Sequence, residues 1–154
     1  MRWLRDLIAN PLLLAGLSAW FAAQVLKVGI FWIMNGKLEW ERLFGDGGMP
    51  SGHAATVTSV AVYAGFSWGT GSFPFGICAL LAIIVCHDAM GVRWETGKQA
   101  MVLNRLLEDL QELRRDKPSG EKLKELVGHT PVQVLAGCLL GGTMGFLMYR
   151  LLHS

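Results

Sequence analysis

Gly47-Gly48-Met49-Pro50-Ser51-Gly52-His53-Ala54-Ala55 brings three glycines, a proline, a serine and a histidine together directly ahead of an apolar run. Pro50 fixes its own φ and pushes Met49 out of helical geometry. Ser51 is a good helix N-cap, and Ala54 and Ala55 suit a first helical turn. The stretch predicts a glycine turn feeding a helix N-terminus. Such a terminus offers unpaired N–H groups and a partial positive charge, which together make an anion site. His53, in the first turn, stands close enough to exchange a proton with a bound anion. An ordinary capped helix with a surface histidine would carry the same residues, so the meaning of the stretch depends on its surroundings.

Those surroundings are apolar. The chain has 154 residues, of which 52% are hydrophobic and 17% charged. That is the composition of a small polytopic membrane protein rather than of a soluble domain. Residues 1–154 make one membrane-embedded domain. A formal net charge of +2, without Lys/Arg runs interleaved with aromatics, argues against a nucleic-acid partner. Cys78, Cys86 and Cys138 lie in apolar runs without metal spacing and read as buried thiols. Arg2 and Arg5 precede the first apolar run, but no signal-peptide cleavage site follows.

Four apolar stretches predict an all-α, polytopic membrane bundle of about four spans. The first, Leu12 to Met34, is interrupted only by Gln24 and Lys27. Lys27 is either a functional group or a lysine snorkelling to the nearby interface. The second runs from Ser51 to Trp68 and the third from Phe73 to Met90. The fourth, Val132 to Leu152, is opened by Thr130 as N-cap and Pro131 as first helical residue. Gly137, Gly141, Gly142 and Gly145 are its small packing positions. Residues 1–10 read as a short polar lead-in and residues 35–49 as a polar loop. Between spans three and four, Leu103, Leu106, Leu107, Leu110 and Leu113 recur at helical spacing among charges. They predict an amphipathic helix lying on the membrane or against the bundle. Lys117-Pro118-Ser119-Gly120 ends it, and Glu121 to Val127 predicts a short helical piece.

Four spans dictate a topology. Spans two and four both start on the membrane face where spans one and three end. That face therefore gathers His53, His129, Lys27, Asp88, Arg93 and two positive helix ends. Arg93, Lys27 and helix N–H groups suit a tetrahedral oxyanion such as phosphate. One histidine could attack phosphorus through a neutral ring nitrogen while the other protonates the leaving oxygen. A metal site built from His53, His129, Asp88 and Asp46 is the competing chemistry, but no close-spaced ligand pair supports it.

The same face carries Lys37, Arg42, Arg93, Lys98, Arg105, Arg114, Arg115, Lys117, Lys122 and Lys124, against Arg2, Arg5 and Arg150 opposite. The positive-inside rule puts the richer face in the cytoplasm, with both termini outside.

Pro50-Ser51-Gly52-His53 resembles a motif of the type 2 phosphatidic acid phosphatase superfamily, which also contains vanadium haloperoxidases. His129-Thr130-Pro131-Val132-Gln133-Val134-Leu135-Ala136-Gly137 is similar to that superfamily's closing motif. Asp88 to Arg93, Gly97 to Ala100, Leu103-Asn104 and Gly128 to Pro131 look like the small divergent bacterial and plant branch. The resemblance implies hydrolysis of a lipid phosphate monoester or diphosphate through a phosphohistidine, without a metal or other cofactor. It makes His129 the nucleophile and His53 the general acid. Lys27, Ser51, Gly52 and Arg93 would hold the phosphate, with Asp88 and Gln133 in support. It also implies an integral protein of a bacterial cytoplasmic membrane, with a phosphorylated lipid and bilayer lipid as partners and a homo-oligomer left open.

The chain departs from the superfamily pattern at three places. Met34 and Asn35 stand where the first motif has Arg-Pro, Leu123 where the third has arginine, and Gln133 where an aspartate would orient the nucleophile. The alternative reading is a non-catalytic membrane protein whose degenerate phosphate pocket binds or moves an anionic lipid.

Overall fold

The computed structural model describes residues 2–36, 48–114, 123 and 128–154. Six helices follow one another in these residues: α1 (Arg2–Ile8), α2 (Pro11–Asn35), α3 (Gly52–Trp68), α4 (Phe73–Met90), α5 (Val92–Arg114) and α6 (Pro131–Leu152). The expected polar loop from residue 37 to 47 and the helical piece Glu121 to Val127 lie outside the described residues, Leu123 excepted.

Among the described residues, three segments are long and apolar enough to cross a membrane: α2, the run from Phe73 that contains α4, and α6. The remaining expected span, α3, has 17 residues and so rises about 26 Å, the shortest of the four. Its place compensates for its length. α3 is the hub of the bundle, packed on α2, α4 and α6 at once, while α2 also touches α6.

Small residues make that packing close. On α6, a Cβ at Gly137 would lie 2.5 Å from the Ser51 carbonyl oxygen. Cβ atoms at Gly141 and Gly145 would press still closer onto the carbonyl oxygens of Ala55 and Ser59. Three glycines one turn apart thus face three carbonyls one turn apart on α3, and the two backbones touch along a seam. On the other flank, a Cβ at Gly16 of α2 would meet Val60 Cγ2 at 3.0 Å, and Ser59 Oγ donates to Ala15 O at 2.8 Å.

The core is accordingly small in grain. Ala15, Ala19, Ala23, Ala54, Ala55 and Ala64 have no exposure, and the largest side chains with none are Ser51 and Ser59. Leu17, Phe21, Ile33, Ile83, Leu139 and Leu151 all point outward. Lipid is as apolar as leucine, so such side chains gain nothing by being inside, and van der Waals contact between backbones holds the helices instead.

One element differs from expectation, and another takes one of its two expected placements. Residues 2–8 are helical rather than a polar lead-in, with Trp3, Leu4, Leu7 and Ile8 all exposed. Asn10 then caps α2 through Oδ1, which accepts from the Leu12 N–H at 3.0 Å. The apolar pairs at positions 3–4 and 7–8 share one helix face, too short a pattern to weigh in the sequence. In α5 the amphipathic helix exists, but Leu103, Leu106, Leu107 and Leu110 are exposed. Its buried positions are Gly97, Ala100 and Asn104. The leucine stripe is therefore turned from the bundle and open to a membrane surface.

Candidate functional site

The start of α3 is built as its sequence dictates. Gly48 takes φ +84°, in the left-handed region that favours glycine. Ser51 caps the helix, its Oγ accepting from the Ala54 N–H at 3.3 Å. The start of α6 is built in parallel. Thr130 caps it, and the Gln133 side chain closes a capping box: Thr130 N–H donates to Gln133 Oε1 at 3.0 Å, and Gln133 N–H to Thr130 Oγ1 at 3.3 Å.

Two backbone bonds lock these starts together. Ser51 N–H donates to Gln133 O at 3.0 Å, so the cap of α3 hangs on the first turn of α6. His129 N–H donates to Ala89 O at 3.1 Å, fixing the residue before α6 against the end of α4. The histidines of the two helix starts are thereby brought edge to face. Their ring centroids are 6.1 Å apart and their planes cross at 76°. His129 is 3% exposed, whereas His53 is exposed. One imidazole is thus held in the protein interior and the other meets the surroundings.

α2 forms the opposite wall. Lys27 is buried, and its aliphatic stem runs along Gly48, where a Cβ would stand 3.2 Å from Cγ and 3.3 Å from Cδ. Gly52 faces the Trp20 indole, whose Cδ1 would lie 3.5 Å from an added Cβ. Glycine at 48 and at 52 thus lets the turn approach α2 closely. His53, His129, Ser51, Gly52 and Lys27 converge at one end of the bundle. Asp88 lies in the last turn of α4, half-buried, next to the Ala89 carbonyl that holds His129. The Arg93 backbone belongs to the first turn of α5, but its side chain lies outside the described residues, as does Asp46. Among the described residues no three His, Cys, Asp or Glu side chains come together as metal ligands.

One contributor escapes a reading of the sequence, and another enters it only within the Leu103-Asn104 motif, without a role. Trp20 is one apolar residue in an apolar run, and only its i, i+4, i+7 relation to Gln24 and Lys27 sets it apart. Asn104 pairs with the backbone of Leu123 in both directions: its Nδ2 donates to Leu123 O and its Oδ1 accepts from Leu123 N–H, each at 2.9 Å. It tethers the chain ahead of His129 to α5. A lone amide on the small-residue face of a leucine-rich helix is the signal that could have found it.

The arrangement suits a phosphoryl group. The two imidazole rings stand next to each other, centroids 6.1 Å apart, at the same end of the bundle. Lys27 and the first N–H groups of α3 supply positive potential beside them.

Comparison with known proteins gives the family. An uncharacterised membrane protein of Bacillus subtilis, YuiD, is 39% identical over 145 residues, which cover 88% of this chain and 92% of that protein. No solved structure matches the chain. Residues 8–144 match the profile of the Divergent PAP2 family. That range runs from before α2 into α6 and covers every described candidate residue from Lys27 to Gln133, and the chain belongs to the Divergent PAP2 family.

Proposed function

We propose that this membrane protein hydrolyses a lipid phosphate monoester or diphosphate through a phosphohistidine intermediate. The observation that carries the proposal is the placing of His53 against His129 at two helix starts, beside buried Lys27. Mere anion binding does not need two histidines.

In the first step a neutral ring nitrogen of His129 attacks phosphorus. The bond to the leaving oxygen breaks, and His53 as imidazolium delivers the proton to that oxygen. In the second step water attacks the phosphohistidine and the neutral His53 accepts a water proton. The P–N bond breaks, its electron pair returns to His129, and phosphate departs. Lys27, Arg93 and the N–H groups around Ser51 and Gly52 neutralise the charge that grows on the phosphoryl oxygens. These groups suffice without a metal. The lipid-facing exposure of the helices suits a substrate that arrives from the bilayer, and the naming of the Bacillus relative as a membrane protein supports a bacterial cytoplasmic membrane.

One observation favours a second reading. The Gln133 amide oxygen is engaged by the Thr130 N–H within its own helix start, not by the His129 ring. The residue standing where the superfamily has an aspartate thus serves the cap of its own helix. The second reading keeps the pocket but not the chemistry: the protein would bind or move an anionic lipid. The deciding experiment is phosphate release by the purified protein from a panel of lipid phosphates, with and without chelator. Release that persists in chelator and disappears in His129→Ala is expected. Binding without release supports the second reading, and release that requires a divalent ion returns the metal alternative.

A further inference from the structure

Residues 2–8, ahead of the first span, form a helix with two unlike faces. At about 100° per residue, Trp3, Leu4, Leu7 and Ile8 fall within an arc of about 140°, and Arg2, Arg5 and Asp6 fill the arc opposite. All seven residues are exposed. Among the described residues neither arginine forms an ion pair. Asn10, extended at φ −66° and ψ 117°, separates α1 from α2. α2 has 25 residues and so rises about 38 Å, enough by itself to cross a hydrocarbon core of about 30 Å. α1 therefore stands outside that core, at its edge. Trp68, which closes α3, and Tyr149, in the last turn of α6, mark the same end of the bundle as a headgroup level. Standing upright there, α1 would hold four large apolar side chains in water. Laid flat, it buries them at the edge of the acyl layer and raises its charged arc among the headgroups.

We propose that α1 is an interfacial anchor whose partner is the anionic headgroup layer of the bilayer, on the face away from the histidines. Trp3, Leu4, Leu7 and Ile8 enter the boundary between headgroups and acyl chains, the depth usual for an amphipathic helix. Arg2 and Arg5 lie one turn apart above them, and their planar guanidinium donors suit lipid phosphate oxygens. Seven residues alone would hold a membrane weakly, but the adjoining span keeps them at the surface, where each contact forms within one molecule. The two arginines outweigh Asp6, so α1 prefers an anionic surface to a zwitterionic one. Apolar contact alone would not distinguish the two. The anchor takes no part in chemistry and stands independently of the phosphate-site reading.

The test places a spin label at Leu7→Cys or at Asp6→Cys in the full-length protein, with Cys78, Cys86 and Cys138 replaced by alanine. The protein is reconstituted in phosphatidylcholine vesicles with or without phosphatidylglycerol, and a water-soluble nickel chelate is present on both sides of the membrane. With phosphatidylglycerol, the Leu7 label should be shielded from nickel and the Asp6 label broadened by it. Removing phosphatidylglycerol, or adding Arg2→Gln and Arg5→Gln, should shift the exposed-to-shielded ratio of the Leu7 label by about fivefold per arginine. Leu4→Cys repeats the measurement should the Leu7 variant fail to fold. A Leu7 label as open to nickel as the Asp6 label in phosphatidylglycerol vesicles overturns the proposal, because α1 then stands in water. Shielding that ignores both lipid charge and the arginine variants overturns it too, leaving apolar contact alone. Shielding that grows with the protein-to-lipid ratio instead gives the apolar face to a second copy of the chain, and also overturns the proposal.

Discussion

His53 and His129 meet edge to face, ring centroids 6.1 Å apart, although one opens α3 and the other precedes α6. Nothing local to either histidine sets that distance. It follows from the bonds of Ser51 to Gln133 and of His129 to Ala89, which fasten three helix ends to one another.

The proposed roles of the two rings differ, and so should their variants. His129→Ala should leave no phosphate release above background. His53→Ala should lower turnover of an alkyl phosphate by about 10²–10⁴-fold, the usual worth of a general acid. A substrate whose leaving group needs no proton should restore His53→Ala and not His129→Ala. Equal rescue of both variants would deny the division of labour.

Neighbouring glycines of α6 should behave oppositely. A Cβ at Gly141 would drive into the Ala55 backbone, whereas one at Gly142 meets nothing within 4 Å. Gly141→Ala should destabilise the protein by about 1–3 kcal/mol through overpacking. Gly142→Ala should be neutral, or stabilising by up to about 1 kcal/mol through helix propensity. Thermal unfolding in detergent reads both. Similar shifts in the two variants would mean that the α3–α6 seam does not bear on stability.

Gly48 and Gly69 offer a second matched pair. Both have a positive φ, +84° and +83°. An alanine at either should cost about 1–2 kcal/mol in backbone strain. Only at Gly48 does the new methyl press on the Lys27 stem, as Gly69 has open space around it. Gly48→Ala should therefore raise KM for a phosphorylated substrate, while Gly69→Ala leaves KM unchanged. A matching KM in both variants would separate Lys27 from substrate binding.

The membrane orientation can be read at the turn between α3 and α4, on the face away from the histidines. Gly71 is exposed, and a Cβ there would meet nothing within 4 Å. With Cys78, Cys86 and Cys138 replaced by alanine, Gly71→Cys should react with a membrane-impermeant thiol reagent in intact cells, because the charge bias puts the site face in the cytoplasm. Protection of that cysteine in intact cells, with labelling after lysis, would place the site outside.

Much of this architecture is legible in the sequence because its signals are local. Ser51 and Thr130 announce helix starts by their own chemistry, and both caps form. Apolar length announces α2, α4 and α6. The register between helices is not local. Gly137, Gly141 and Gly145 read as packing positions, but that they meet Ser51, Ala55 and Ser59 depends on how two helices cross. The same holds for Cys86 and Cys138, whose Sγ atoms lie 3.8 Å apart across α4 and α6. Gln133 shows a different limit. Its spacing fits both a partner for the His129 ring and a capping box with Thr130, and the box, closed within a single turn, is what forms. In α5 the leucine stripe draws attention to the face that is exposed, while Asn104 on the quiet face makes the tertiary contact.

The fine-grained interior inverts the usual map of mutational tolerance. In a water-soluble domain, surface positions drift freely and the bulky core is guarded. Here the guarded positions are small: Ala15, Ala55 and Ser59 have no exposure, and at Gly137, Gly141 and Gly145 a methyl group would run into backbone. The outward leucines, isoleucines and phenylalanines can exchange among themselves, since the bilayer asks only that they be greasy. Related chains should therefore diverge most in their large residues and least in their smallest, and a substitution scan that scored hydrophobic bulk as importance would rank this protein backwards.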